Sequence, residues 1–285
     1  MKPPINKDTQ LCMSLSARPG NFGTRFHNHL YDALGLDFVY KAFTTTDLPA
    51  AIAGIRALGI RGCAVSMPFK EACIPYLNRL DASAAVLQSV NTIVNEGGVL
   101  HAYNTDYLAV RQLLAQQQID PALRFVLRGS GGMARAVAFA LRDAGFTRGT
   151  ILARNEAAGQ ALAHDLGNQH GENKSGGFVW QPEHWQPRPE EAQLLINVTP
   201  IGMAGGPEAA ALAFAPAQIA AGQAVMDVVA LPAETPLIQA ARAHRKPVIT
   251  GAEVIELQAL EQFVLYTGVR PDAAQVQAAA TFARS

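Results

Sequence analysis

The sequence predicts an α/β protein of two domains, and three observations lead there. Short apolar runs alternate along the chain with stretches whose apolar residues recur three or four positions apart, the periods of strand and helix in turn. The length, 285 residues, suits one large or two medium domains, and two are expected. The stretch from Arg124 to Leu141 reads as strand, glycine turn and helix, the opening of a doubly wound sheet.

Taken in order, Gln10 to Leu15 is a first strand, followed by a polar loop from Ser16 to Gly23. Thr24 is positioned to cap a helix whose Phe26, Leu30 and Leu34 form one apolar face. Asp37 to Phe43 alternates as a strand, and Thr46 is positioned to cap a second helix carrying Leu48, Ile52, Ile55 and Leu58. Ile60 to Met67 is the next strand, with Pro68 suited to the first turn of a helix. Val90 to Val94 and Val99 to Tyr103 flank Asn95-Glu96-Gly97-Gly98, residues that tolerate positive φ in the turn of a hairpin. A first domain ends near Asp106, and Tyr107 to Gln117 is a connecting helix.

The second domain begins with the glycine turn. An apolar run enters Gly129-Ser130-Gly131-Gly132-Met133-Ala134, and Val137 and Leu141 continue at helical spacing. Glycines here allow a tight turn and the approach of a pyrophosphate to a helix N-terminus, so these six residues are the expected cofactor-binding segment of a Rossmann-type domain. The following strand, Thr150 to Ala153, ends at Arg154 with no carboxylate until Glu156. In this fold an acid at that point binds the ribose 2′-hydroxyl and an arginine accommodates a 2′-phosphate, so NADP is the expected cofactor. The missing acid also counts against an adenosylmethionine-dependent transferase.

Glu156 to Leu166 is a helix, 167–193 is expected to be partly loop, and Leu194 to Val198 is a strand. Ala209 to Ala224 is alanine-rich and reads as helix, with Ala224 to Val229 and Pro247 to Thr250 as further strands. Glu253 to Tyr266 and Asp272 to Phe282 are two terminal helices without strands of their own, expected to return to the first domain. The boundaries are thus 1–106 with 250–285 for a substrate-binding domain, and 107–249 for the nucleotide domain.

Bulk properties exclude whole classes. Net charge is zero, so no basic field holds a nucleic acid or an anionic membrane, and a small molecule is the expected partner. Cys12, Cys63 and Cys73 are odd in number and lack C-x-x-C spacing, which argues against a disulfide framework and a zinc site; no metal is expected. There is no apolar signal core and no run of the roughly 20 apolar residues that a spanning helix needs, so a soluble cytoplasmic protein, monomeric or homodimeric, is expected.

Two stretches offer groups for proton exchange with a substrate hydroxyl. Ala64-Val65-Ser66-Met67-Pro68-Phe69-Lys70 places a lysine just past a strand, and Asn104-Thr105-Asp106 places a carboxylate at the domain junction. Either residue alone reads more readily as a surface charge than as a catalyst.

At this point the sequence resembles the shikimate dehydrogenase family. The resemblance rests on Val65-x-x-Pro68-x-Lys70, Ser89-Val90-Asn91-Thr92, Asn104-Thr105-Asp106, the Gly129 turn, and Gly251 followed by Gln258, in the family's order over nearly the whole chain. It implies reversible NADP-dependent oxidation of a ring hydroxyl in a cyclohexene or cyclohexane polyol acid. By that resemblance Lys70 and Asp106 match the catalytic pair. Asn91 and Gln258 match residues holding the ring hydroxyls, Ser14 and Ser16 match the carboxylate-binding serines, and Ser66 stands in the lysine motif at the substrate side. Arg154 matches the NADP-selecting arginine; Asn197 and Thr199 match the strand-end loop near the nicotinamide, and Gly251 is implied to bind the cofactor as well.

The departures cluster at the substrate end. Ala17 stands where the family has proline, Ala64 and Ser66 replace asparagine and threonine, and Ala230 replaces a carboxylate-binding tyrosine. Ala153, Asn155 and Ala158 alter the surroundings of Arg154. Losing one neutral hydrogen bond to the carboxylate costs roughly 0.5–1.5 kcal/mol, up to about tenfold in binding. Weak shikimate turnover or a preference for quinate or a related ring acid follows. Two alternatives stay open: an NADP-binding redox-sensing module without turnover, and a lysine-using enzyme of similar build such as a methylenetetrahydrofolate dehydrogenase.

Overall fold

The structure, a computed structural model, describes residues 2–167 and 177–285. It is a mixed α/β chain that divides into two compact units, Met1–Thr105 with Glu256–Ser285, and Asp106–Ile255.

The first unit carries a six-stranded sheet. Strands β1 (Gln10–Leu15), β2 (Phe38–Phe43), β3 (Gly62–Val65), β4 (Arg79–Leu80), β5 (Thr92–Glu96) and β6 (Val99–Tyr103) lie in the order β2-β1-β3-β5-β6-β4. β1 pairs in parallel with β2 and β3, as its β-α-β connections require. β5 runs antiparallel to β3 and forms the expected hairpin with β6, its turn using positive φ at Gly97 and Gly98 (61° and 91°).

Helix α1 (Phe22–Leu34) starts before Thr24, so that residue lies in the first turn and its hydroxyl is buried without a partner among the described residues. Asn28 then ties α1 to β2, accepting from the Tyr40 amide and donating to the Tyr40 carbonyl. Helix α2 (Leu48–Ala57) is capped by Asp47, not Thr46: the carboxylate accepts from the Ala50 amide at 3.0 Å. A carboxylate satisfies an orphan N–H and also meets the positive end of the helix dipole. Pro68 lies just outside helix α3 (Phe69–Ala72), as its cap residue. Helix α4 (Ala82–Leu87), capped by Asp81, is an element that apolar periodicity did not reveal.

The chain's C-terminal helices complete this unit. Tyr266 packs so closely on β3 that a Cβ at Gly62 would sit 2.2 Å from its ring. α11 (Ala273–Arg284) begins with an Asp272–Gln275 capping box and lies against α1, where Arg25 stacks 4.7 Å above the Phe282 ring.

The second unit begins with α5 (Thr105–Gln116), whose first residue belongs to the first unit. Its strands are β7 (Phe125–Arg128), β8 (Gly149–Leu152), β9 (Phe178–Gln181), β10 (Leu194–Asn197), β11 (Ala224–Asp227) and β12 (Val248–Thr250). They form one fully parallel sheet in the order β12-β11-β10-β7-β8-β9. Strand order reverses between β7 and β10, the crevice where ligands bind in doubly wound sheets. Helices α6 (Gly132–Asp143) and α7 (Glu156–Gly167) follow β7 and β8. The loop expected over 167–193 lies partly outside the described residues, and β9 falls within it.

Helix α8 covers only Pro216–Ala221, not the whole alanine-rich stretch. Ala215 precedes a proline and is extended at φ −65°, ψ 147°, so residues before it cannot continue into the helix. Helix α9 (Pro236–Ala243), capped by the Thr235 hydroxyl, was not expected. Helix α10 (Gly251–Thr267) begins in this unit and ends in the first. Among the described residues, no helix is long and apolar enough to cross a membrane.

Candidate active site

In the second unit, β7 delivers the chain into the glycine turn. The Gly129 amide still bonds the Leu152 carbonyl at 2.8 Å, after which the backbone takes φ 125°. A Cβ there would lie 2.7 Å from Val198 Cγ2 and 3.2 Å from the Val198 carbonyl oxygen, so both sterics and conformation demand glycine. Gly131 and Gly132 differ: a Cβ on either would meet nothing within 4 Å. Protein packing does not require glycine at those two positions, and the space beside them is open to a ligand.

Gly131 is the N-cap of α6 and supplies no side chain to its N–H groups. This uncapped helix N-terminus is suited to an anion. Ser130 and Met133 are half-buried beside it, while Ala134 is buried on the helix's inner face.

A cavity of about 500 Å³ opens over the turn, lined by Gly129, Ser130, Gly131, Arg154, Thr199 and Pro200 among others. Arg154 is exposed at its rim. Asn155, next in sequence, accepts from the Ala158 amide at 3.1 Å and so caps α7, which gives this departure from the family pattern a structural role.

Asn197 is fully buried and holds the loop that follows β10. Its carbonyl oxygen accepts from the Thr199 hydroxyl at 2.6 Å and the Thr199 amide at 3.1 Å, and its amide donates to the Ile201 carbonyl and to Asp227. Asp227, also fully buried, accepts in turn from the Thr235 hydroxyl at 2.7 Å and the Val229 amide at 3.1 Å. Burial raises its carboxyl above the usual range, and these donors oppose the rise. Thr199 therefore faces the cavity while Asn197 supports it from behind. Sequence reasoning missed Asp227, although an acid ending the apolar run Ala224-Val225-Met226 was its signal.

Gly251 opens α10 against the chain leaving β11: a Cβ there would lie 2.3 Å from the Val229 carbonyl carbon and oxygen. No side chain fits that approach.

In the first unit, the ends of β1 and β3 bring another set together. Ser14 faces Ala42 and Ala64 in the strand register. Ser16 is buried, and its amide donates to the Phe43 carbonyl at 3.2 Å. Ser66 is exposed, and its amide donates to the Leu15 carbonyl at 2.9 Å. Lys70 is half-buried on α3, and its carbonyl accepts from the Val90 amide at 2.8 Å, which links the lysine helix to the segment entering β5.

Asn91 is the hub. Its side-chain oxygen accepts from the Thr92 hydroxyl at 2.8 Å, the Thr105 amide at 2.7 Å and the Thr105 hydroxyl at 3.1 Å. Its Nδ2 is buried with no partner among the described residues. Leaving such a donor unmet costs about 1–3 kcal/mol, so an acceptor brought by a ligand would relieve the penalty. Gln258 receives the Thr105 hydroxyl at 3.4 Å. Gln262, one turn further along α10, donates to the Asn91 carbonyl at 3.3 Å and the Thr92 hydroxyl at 3.1 Å. The Gln258–Gln262 spacing on one helix face was the signal for this residue.

Asp106 lies in the first turn of α5, in the second unit, 9% exposed. The three cysteine thiols are free and buried, and burial pushes Cys12 and Cys73 up to about 12, which leaves them as inert core groups.

Comparison with known proteins places this geometry in a family. Residues 22–93 match the sequence profile of the shikimate dehydrogenase substrate binding domain. A shikimate dehydrogenase-like protein of Haemophilus influenzae is 52% identical over 99% of this chain and 99% of its own. A shikimate dehydrogenase (NADP(+)) of Moorella thermoacetica is 38% identical over 85% of this chain and 82% of its own. The solved structure of a shikimate 5-dehydrogenase-like protein superimposes with a TM-score of 0.91 at 52% identity, covering 99% of this chain and 100% of that one. The chain belongs to the shikimate dehydrogenase family.

Proposed function

We propose that the protein is an NADP-dependent oxidoreductase that reversibly oxidises a ring hydroxyl of shikimate or a related cyclohexene or cyclohexane polyol acid. The observation that carries this reading is the cavity at the reversal of strand order, where the Gly129–Gly131 turn, the uncapped α6 N-terminus and Arg154 occur together. The names of the relatives from Haemophilus influenzae and Moorella thermoacetica support it.

The residues present fit the dinucleotide. In this reading Asp106–Ile255 is the nucleotide unit, and Met1–Thr105 with Glu256–Ser285 is the substrate unit. NADP, when bound, exchanges a hydride with the ring carbon. Gly129, its own N–H held by the Leu152 carbonyl, would let the turn approach the pyrophosphate, and Ser130, Gly131, Gly132, Met133 and Ala134 would hold it through backbone N–H groups and the α6 dipole. Arg154 would pair with the 2′-phosphate, and Thr199, braced by Asn197, would shape the nicotinamide end with Gly251. Lys70 Nζ would exchange the proton of the reacting hydroxyl and the Asp106 carboxylate would orient that hydroxyl. The Asn91 amide and Gln258 would hold the neighbouring hydroxyls. Ser14 and Ser16 would receive the carboxylate, with Ala230 withholding one further hydrogen bond, and Ser66 would contact the substrate from the lysine motif.

Lys70→Ala is the direct test. A general base typically contributes 10²–10⁴-fold, so turnover of the best ring acid should fall at least a hundredfold with NADP affinity unchanged. Turnover within a few-fold of wild type would remove Lys70 from the mechanism.

A further inference from the structure

The cavity over the glycine turn contains a cation that the roles assigned above do not use. Arg128, the last residue of β7, lines it together with Gly129 and Arg154. Strand register sets Arg128 between Leu152 of β8 and Asn197 of β10, at the centre of the sheet. Its guanidinium lies 5.6 Å from the centroid of the Phe214 ring, and its Nε is buried with no hydrogen-bond partner among the described residues.

Two carboxylates, Glu183 and Glu208, line the same cavity, and both act electrostatically on Arg128. Yet among the described residues neither makes a hydrogen bond or ion pair with it. A guanidinium only donates and a carboxylate only accepts, so together they offer both kinds of group to a ligand. A phosphate does not suit this spot, because both carboxylates would repel it. A neutral ring with an acceptor beside a donor does suit it, and adenine has that edge: ring nitrogens that accept next to an exocyclic amine that donates.

We propose that Arg128, with Glu183 and Glu208, recognises the adenine base of the dinucleotide, Arg128 donating to a ring nitrogen and a carboxylate accepting from the exocyclic amine. This rests on the NADP reading and adds base selectivity to it. Hypoxanthine replaces the amine with an oxygen and carries a proton on the adjacent ring nitrogen, so it reverses the pattern and sets oxygen against carboxylate.

The test is calorimetric titration of the full chain with NADP and with nicotinamide hypoxanthine dinucleotide phosphate. Wild type should bind NADP at least ten times more tightly than the analogue. Arg128→Ala, and separately the Glu183→Gln/Glu208→Gln double variant at exposed positions, should bring the two affinities to within about threefold of each other. If Arg128→Ala fails to fold, the double variant decides. Tight NADP binding with equal affinity for the analogue, or a wild-type preference unchanged in both variants, overturns the adenine assignment alone. No NADP binding at millimolar concentration overturns the nucleotide reading and this proposal with it.

Discussion

Replacing Gly131 with alanine separates ligand approach from protein packing. At Gly131 the backbone has φ −82° and ψ −172°, which alanine adopts without strain, and a Cβ would meet nothing within 4 Å. The unfolded chain loses freedom, a gain of about 0.4–1 kcal/mol, and alanine's poorer N-capping removes a similar amount, so net stability should change by under about 1 kcal/mol. Gly129→Ala is the control: φ is 125° and the new carbon would sit 2.7 Å from Val198 Cγ2. Strain at such a φ costs about 1–3 kcal/mol, and the clash adds to it.

Urea unfolding should therefore place Gly131→Ala beside wild type and Gly129→Ala well below it. Titration with NADP should show Gly131→Ala at least about tenfold weaker, because the added methyl occupies the space the pyrophosphate enters, and tenfold corresponds to about 1.4 kcal/mol. Unchanged affinity in a fully folded Gly131→Ala protein would show that the open space beside the turn is not the phosphate site.

Two further outcomes follow from other parts of the molecule. Arg154→Gln should weaken NADP by about 10–100-fold and NAD by less than about threefold, since a charge-assisted pair with the 2′-phosphate is worth about 1.5–3 kcal/mol; equal loss for both cofactors would assign Arg154 a different role. His27, fully buried and stacked 4.5 Å from Tyr40, is held neutral by burial, its pKa lowered from 6.5 to about 3. The unfolded chain therefore takes up this proton more readily, so stability is fully present above about pH 6.5 and declines as pH falls toward 3, by up to roughly 4–5 kcal/mol. His27→Phe should flatten that part of the pH–stability curve in chemical denaturation, and an unaltered slope would show that other groups set it.

The central parts of both sheets were legible because their patterns are strong. β8 and β10 are continuous buried runs, β7 is buried up to Arg128, and the β5–β6 hairpin announces itself through Gly97 and Gly98. The glycine turn was legible as a motif, but its sequence did not separate Gly129, which packing demands, from Gly131, which packing leaves open. β9 escaped because Phe178-Val179-Trp180-Gln181 is a short, partly exposed edge strand after a polar stretch. α9 carries a local start signal, Thr235 before Pro236. Alanine propensity overstated α8, since Pro216 fixes where the helix starts.

The site divides along the same line. Lys70, Asn91 and Arg154 stand in local motifs, which is why the sequence singles them out. Asp227 and Gln262 act through partners distant in sequence: Asp227 accepts from Asn197, and Gln262 donates to the Asn91 carbonyl. Pairing across strands and between a strand and a helix sets those contacts, and no local spacing encodes it.

The most direct test of the account is initial-rate measurement with shikimate and with quinate, each with NADP and with NAD. Turnover of a ring acid with NADP, faster than with NAD, is the expected result. Tight NADP binding without turnover of either acid or of amino-substituted analogues would contradict it and leave a nucleotide-binding module in its place.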